Sequence, residues 1–430
     1  MAREELYALV RSYIEKCNRC GDCRAVCPVF AEEPTETAVA RGKLLLAGRL
    51  LSGELEPSPE LMGRLDKCLL CQRCTFNCAF HLRVDRVVMA ARAALAETGA
   101  LPVAKKAVFS LLGDHSWTMR LLCGAGALTA TLWGKRIPEE SGLRLRFPLG
   151  GALDGDRVVP RPAARPFRSR VPASVDVDQP KGRVALFTGC YINYLAPDIG
   201  VDALSLLGRA GVSVVVPEGQ VCCGTPMMAS GDFPRALQLM KANLEALSAI
   251  QTDAIVVACA TCGTALRDLY PEMLGKLDPS MAEKARWVAG RTYDISEFLA
   301  EVIPLPEPPP LEETLIVTYH DSCHLARGLG IRRQPRKLLQ SIGNLELVEM
   351  EGADHCCGGA GAFGFTQRRL SVRIGNRKIE SITETGAELV VSGCHGCNLQ
   401  ITEGLVRERS RTRTVHLVQL LERAHRRGRE

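Results

Sequence analysis

Two kinds of apolar pattern divide the chain. In the first hundred residues, "REELYALVRSYIEK" and "TAVARGKLLLAGRLLSG" repeat apolar positions at helical spacing, which predicts helices around two clusters of cysteines. From residue 181 the pattern changes to short continuous apolar runs, each followed by a helical stretch. One series reads "RVALFTGC", helix, "VSVVVPEGQVCCG", helix, "AIVVACATCGTAL"; the other reads "LIVTYHDSCH", helix, "LELVEMEGADHCCGG", helix, "AELVVSGCHGCNL". Each predicts strand, helix, strand, helix, strand, helix, which is the order of a small open parallel α/β sheet. Each closes on a similar helix, "YDISEFLAEV" or "VHLVQLLERA". Cys190 and Cys323, Cys222 and Cys356, and Cys259 and Cys394 lie 133, 134 and 135 residues apart, so the two series are an internal duplication.

Between these regions the pattern weakens. "PRPAARPFRSRVPASVDVDQPKG" is rich in proline and arginine with little apolar periodicity, and reads as an exposed linker. Ahead of it, Ala107 to Arg136 is apolar with bulky aromatics and basic flanks. It is expected to form a core helical hairpin packed on the N-terminal domain, with Cys123 a buried free thiol. The other reading of this segment is a surface that docks on a membrane or a quinone-bearing partner.

The chain has 430 residues, 46% of them hydrophobic, enough for two to four domains with sizeable cores. A net charge of +6 with both signs mixed is no nucleic-acid footprint. The basic C-terminal "RERSRTRTVHLVQLLERAHRRGRE" reads as a solvated helix end. The N-terminal residues are charged, with no apolar signal region, and the longest uncharged apolar run, Leu121 to Gly134, is too short to span a bilayer. The expected location is the cytoplasm, with at most peripheral contact at the inner face of a membrane.

Nineteen cysteines change the picture most. A cytosolic chain of this size needs no disulfide framework, so the spacings point to metal. Cys17, Cys20, Cys23, Cys27 and Pro28 form C-x2-C-x2-C-x3-C-P, and Cys68, Cys71, Cys74 and Cys78 repeat the spacing with Ala79 in place of proline. This is the bacterial-ferredoxin run for [4Fe–4S] clusters, in which the fourth cysteine of each run serves the other cluster. The assignment is therefore Cys17, Cys20, Cys23 and Cys78 to one cluster, and Cys68, Cys71, Cys74 and Cys27 to the second. Zinc sites use four ligands in two close pairs and do not explain two such quartets.

In the repeats, each cysteine follows the end of a β-like run, so all face the sheet edge where open α/β sheets bind ligands. Cys190, Cys222, Cys223, Cys259 and Cys262 are expected to form one five-thiolate pocket, and Cys323, Cys356, Cys357, Cys394 and Cys397 another. The glycine after each Cys-Cys pair lets the backbone turn and approach a ligand closely. The fold class that follows is multidomain: an α-helical ferredoxin domain over residues 1–98, a helical segment and Pro/Arg-rich linker over 99–180, and two repeated small parallel-sheet α/β cysteine-rich domains over 181–305 and 311–430.

A two-cluster ferredoxin domain, a linker and two repeats of C-x31/32-C-C-G-x34/35-C-x2-C resemble the iron–sulfur subunits of glycolate oxidase. They equally resemble related subunits of D-lactate dehydrogenases, anaerobic glycerol-3-phosphate dehydrogenase and heterodisulfide reductase. "ARGKLLLAG", "LDKCLLCQRC", "HDSCHLARG" and "CCGGAGAF" carry the resemblance, which covers nearly the whole chain. It implies an electron-transfer subunit that takes electrons from an FAD-bearing 2-hydroxy-acid (glycolate or D-lactate) dehydrogenase partner and passes them to a quinone or another acceptor. It also implies one or two further [4Fe–4S] clusters, non-cubane in the heterodisulfide reductase branch, in the Cys-Cys-Gly pockets, or zinc in one of them. The alternative it implies is a subunit that cleaves a disulfide at such a cluster, a reading kept open by the intact "CHGC". The sequence shows no dinucleotide-binding glycine run after a strand, Walker-type loop or nucleophile elbow, in keeping with hydride chemistry on a partner.

Four of the eight histidines, His320, His324, His355 and His395, lie in or beside the second pocket, whereas residues 182–303 contain none. The bland reading is capping or packing. The sharper one is that His324 and His395 couple electrons to protons there, because histidine exchanges protons near neutral pH. His81 reads as a surface residue or one lying behind the ligands, not as a ligand itself.

Overall fold

The computed structural model describes residues 3–100, 107, 109–110, 117–136, 142–145 and 157–427. They fall into two compact units. The smaller joins the N-terminal 113 residues to 224–238 and 355–377; the larger holds 114–223, 239–354 and 378–430.

In the smaller unit, α1 (Arg3–Glu15), α2 (Ala40–Leu51) and α3 (Val84–Leu95) pack on one another. Leu6, Val10, Ala47, Leu50, Val87, Val88 and Leu95 form the dry centre. The cysteine loops hang from this bundle. Two later segments join the unit. Arg92, 6% exposed, donates to the carbonyls of Leu65, Cys68 and Ala229 at 2.9, 2.8 and 2.7 Å. Arg377 pairs with Glu32 at 2.8 Å. One side chain in each case ties a segment that follows a Cys-Cys-Gly box to the ferredoxin-like region.

The larger unit carries three sheets. A small antiparallel one runs β1 (Gly134–Arg136), β2 (Gly142–Leu145), β3 (Val158–Pro160). A five-stranded sheet is built from β4 (Ser174–Val175), β5 (Gly182–Phe187), β6 (Val212–Val215), β7 (Ala254–Val257) and β8 (Thr292–Asp294) in the order β4-β6-β5-β7-β8, with only β4 antiparallel. The third, from β9 (Leu315–Tyr319), β10 (Leu345–Leu347), β11 (Leu389–Ser392) and β12 (Arg413–His416), is parallel throughout in the order β10-β9-β11-β12. Within each repeat the strands therefore stand second, first, third, fourth, and the duplication read from cysteine spacing is a duplication of topology. The structure adds a fourth parallel strand to each repeat. Both are short and end in a polar residue, Asp294 or His416, so they carry too little apolar pattern to stand out in sequence.

Two expectations change. The Pro/Arg-rich stretch is not exposed throughout. Val158, Ala163 and Phe167 are buried, Ala163 N–H bonds the Tyr194 carbonyl at 2.8 Å, and Arg168 donates to the carbonyls of Glu218 and Gln220 at 2.9 and 2.7 Å. Arg157 and Glu403, 4% and 3% exposed, pair at 3.7 Å. Composition suggested a solvated linker; the arginines instead cap orphan carbonyls and a buried carboxylate. Of the segment expected as a core hairpin, Ala107, Phe109 and Ser110 are helical among the described residues, and a helix runs over Trp117–Trp133. It buries Met119, Cys123, Ala127 and Ala130 but exposes Leu121, Leu122, Leu128 and Leu132, so only one face is core. Cys123 is a buried free thiol, as expected. Much of the hairpin's first arm lies outside the described residues. Among the described residues, no helix is long and apolar enough to cross a membrane.

Candidate metal centres

The two N-terminal cysteine loops share one backbone design. The second and fourth residues after the first cysteine are left-handed in both: Arg19 (φ 60°) and Gly21 (φ 98°), then Leu70 (φ 54°) and Gln72 (φ 58°). Left-handed non-glycine residues cost about 1–2 kcal/mol each, and such strain gathers at functional sites where the surroundings enforce it. Alternating handedness turns successive N–H groups inward, the arrangement of anion-binding nests. Gln72 is buried and held by a 3.1 Å bond to Asp85.

Cys27, Cys68, Cys71 and Cys74 line one cavity, together with Pro28 and Lys43. The fourth cysteine of the first run thus stands with the first three of the second, the crossed arrangement expected from the spacing. Cys17, Cys20 and Cys23 neighbour one another, and the loop bearing Cys78 is tied to theirs by Asn77 Nδ2 donating to Asp22 O at 3.0 Å. Burial pushes the Cys74 thiol well above its ordinary pKa, and the charges of Cys71, Cys68 and Cys27 push it further. Burial likewise raises Cys27, against the opposing pull of Lys43. Four sulfurs crowded around one void fit a positively charged metal core, and Lys43 at its wall offsets the negative charge of the thiolates.

The "ARGK" at the start of α2 gains a physical explanation, which spacing alone did not supply. A Cβ on Gly42 would run into the Glu36 carbonyl, so glycine lets the helix start abut residues 36–37. The residues on either side then face different groups of cysteines. Arg41 bonds the Arg19 carbonyl at 3.0 Å and its charge acts on Cys23 and Cys20, while Lys43, 2% exposed, bonds the carbonyls of Thr37 and Ala38 beside Cys27.

In the first repeat all five cysteines lie in the larger unit, past the carboxyl ends of β5, β6 and β7. Cys190 Sγ and Cys222 Sγ are 3.5 Å apart. Cys262 shares hydrogen bonds with both Cys223 and Cys259, and those together with burial hold its thiol well above the ordinary value. A Cβ on Gly189 would stand 3.1 Å from Cys262 Sγ, so the residue before Cys190 must be small. Fully buried Asn243 and Tyr270 clamp the Cys222–Cys223 backbone. Asn243 accepts from Val221 N–H at 2.7 Å and donates to Cys222 O at 2.9 Å; Tyr270 hydroxyl donates to Cys223 O at 3.1 Å. Five convergent sulfurs on a fixed backbone fit a soft metal or an iron–sulfur core.

In the second repeat, Cys323, Cys394, Cys397, His320, His324 and His395 belong to the larger unit, and His355, Cys356 and Cys357 to the smaller. The loop ahead of Cys356 is held differently from its counterpart: Lys378, 1% exposed, donates to Gly352 O and Ala353 O at 2.6 and 3.2 Å, and Arg327 to Asp354 O at 2.9 Å. The glycines of both boxes are left-handed, Gly224 at φ 77° and Gly358 at φ 84°. Their close approach is to protein backbone: a Cβ would stand 3.1 Å from Ala236 O in the first case and run into Ser371 O in the second.

Two of the histidines assigned by sequence to the second pocket reach the first repeat. His324 Nδ1 is 2.9 Å from Thr261 Oγ1. His395 stacks on Tyr191 with ring centroids 3.7 Å apart and 14° between planes, and its Nε2 is 3.9 Å from Cys259 Sγ. Burial pulls the His395 pKa down, but Cys259 and Cys394 carry it up to about 9. His416, missed in the sequence, is buried and neutral: burial, then the charge of His395, lowers it to about 3. His81 is exposed, as expected, with a left-handed backbone.

Comparison with known proteins agrees with this layout. The family model described as a cysteine-rich domain matches residues 184–267 and 317–402, and that of a 4Fe-4S dicluster domain matches 13–82. The chain is 31% identical over 424 residues to the probable glycolate oxidase iron-sulfur subunit of Bacillus subtilis, covering 94% of this chain and 92% of that protein. It is 32% identical over 239 residues to lactate utilization protein A of the same organism, covering 56% of this chain and 98% of that one. A subunit of the fumarate reductase (CoM/CoB) of Methanothermobacter marburgensis is 36% identical over 247 residues, covering 57% of this chain and 47% of that one.

Proposed function

The chain belongs to the family of glycolate oxidase iron–sulfur subunits, and on that premise we propose that it is the electron-transfer subunit of a flavoprotein 2-hydroxy-acid dehydrogenase acting on glycolate or D-lactate. Its partner is an FAD-bearing subunit, and its acceptor a quinone or another carrier. The observation that carries the reading is the cavity walled by Cys27, Cys68, Cys71 and Cys74, which joins sulfurs from two separate runs at one point.

Iron–sulfur cores supply one-electron exchange when bound. The chain's own residues do the rest. Cys17, Cys20, Cys23 and Cys78 would hold one [4Fe–4S] cluster, and Cys68, Cys71, Cys74 and Cys27 the second. Arg41 and Lys43 offset the negative charge of the thiolates. Cys190, Cys222, Cys223, Cys259 and Cys262 would hold a further cluster, and Cys323, Cys356, Cys357, Cys394 and Cys397 another, or zinc in one of the two. Asn243, Tyr270, Lys378 and Arg327 fix the loops that present the paired cysteines, so that little reorganisation accompanies electron arrival.

A second reading, disulfide reduction at a Cys-Cys-Gly site, is favoured by one observation: both repeats retain all five cysteines. The test separates the two. Anaerobic co-purification of the full chain should recover a flavoprotein, and adding glycolate or D-lactate to the pair should bleach the visible iron–sulfur absorbance of this chain. Failure to bleach with either acid, together with viologen-driven turnover of a heterodisulfide by the chain alone, would replace the first reading with the second.

A further inference from the structure

The two repeats exchange side chains next to their cysteines, and the exchange is reciprocal. The residue after the first cysteine of each repeat, Tyr191 or His324, meets the C-x2-C segment of the other. Tyr191 stacks on His395, between Cys394 and Cys397; His324 bonds Thr261, between Cys259 and Cys262. The two contacts differ in chemistry. His395 presents a ring nitrogen to a sulfur of the opposite pocket, Nε2 standing 3.9 Å from Cys259 Sγ. The stack on Tyr191 fixes the imidazole plane, and Thr264 Oγ1 donating to the His324 carbonyl at 2.8 Å anchors the same junction. His395 Nδ1 is buried without a hydrogen-bond partner, so the ring's only sulfur-directed nitrogen points across the repeat boundary.

We propose that His395, supplied by the second repeat, is a positioning residue for the first pocket: it donates a hydrogen bond to Cys259 Sγ and thereby raises the reduction potential of the iron–sulfur group held there. This rests on the reading that the first pocket binds such a group. Hydrogen bonds to cluster sulfurs stabilise the more negative, reduced state, and they are among the determinants of cluster potential. The second repeat then does more than hold a site of its own. It sets the electron affinity of its neighbour, which gives the duplication a directional role in conduction.

The experiment uses the full-length protein, purified anaerobically with its partner. His395→Phe keeps a ring to stack on Tyr191 and removes the nitrogen, whereas His395→Gln keeps an N–H donor. The readouts are iron content and redox titrations followed by electron paramagnetic resonance. Cys259→Ser identifies the first-pocket resonance and Cys394→Ser the second. The expected result is unchanged iron in both histidine variants, a lower midpoint potential in His395→Phe for the resonance that Cys259→Ser perturbs, and substantial recovery in His395→Gln. An unchanged potential in His395→Phe, or a shift confined to the resonance that Cys394→Ser perturbs, would overturn the proposal alone. If Cys259→Ser perturbs no iron resonance, the reading of the first pocket falls together with it.

Discussion

Cys74→Ala should remove about four irons per chain and lower electron delivery to the acceptor by more than about 100-fold, since outer-shell changes at metal sites already cost about 10–100-fold. Cys74 lines the cavity with Cys27, Cys68 and Cys71, and burial together with its three neighbours pushes its thiol upward. Three thiolates leave one corner of a cubane open. Loss of metal should also loosen the smaller unit, because ligation energy in such sites is folding energy. The contrasting variant is Cys123→Ala. Cys123 is buried, and burial alone, with no contribution from another thiol, shifts it upward. That variant should keep its full iron content and turnover. Iron analysis and steady-state acceptor reduction of the two proteins, side by side, check the prediction.

Gly358→Ala should destabilise the protein by about 3 kcal/mol, combining about 1–2 for a left-handed side-chain-bearing residue with about 1–3 for overpacking. At φ 84° the new Cβ meets Ser371 O and stands 3.1 Å from Gly375 N, both backbone atoms of α4 (Arg368–Glu384). Ser371 is fully buried and its hydroxyl donates to Gly358 O at 2.8 Å, so the helix cannot yield without breaking that bond. Cys356 and Cys357 immediately precede this glycine, and metal at the second pocket should be lost along with stability. Gly386→Ala is the control: φ is 65° but nothing lies within 4 Å of the new Cβ. Only the backbone part, about 1–2 kcal/mol, should appear there. Urea unfolding of both variants, followed with the iron–sulfur chromophore, separates the two costs.

Much of this architecture could be read from residues alone, because ligand spacing is a local property. Three cysteines three apart dictate a loop that wraps one core, and the 133-to-135-residue register dictates two copies of one sheet. Cys27 was assigned with Cys68, Cys71 and Cys74 on the same spacing, and the four line one cavity. What escaped depends on partners remote in sequence. Arg157 and Arg168 belong to a segment whose composition says solvent, yet buried Glu403 partners the first and the carbonyls of Glu218 and Gln220 the second. The fourth strand of each repeat is only a few residues long and gains its place from β7 or β11, not from its own pattern. His324 and His395 were placed by sequence with the cysteines they adjoin, whereas their rings turn to Thr261, Tyr191 and Cys259 of the other copy. Chain neighbourhood fixed the backbone position and left the side chain's direction open. The glycine of each Cys-Cys-Gly box was expected to make room for a ligand; the structure has it make room for backbone atoms at Ala236 and Ser371.

The chain is an electron conductor whose dispersed thiolates converge on inorganic iron–sulfide. The most direct measurement is the number of irons and acid-labile sulfides per chain in anaerobically purified, full-length protein. Well above eight of each, approaching about sixteen if all four sites are loaded, is the predicted result. A preparation free of iron, or holding zinc alone, that still carried electrons at the full rate would contradict it.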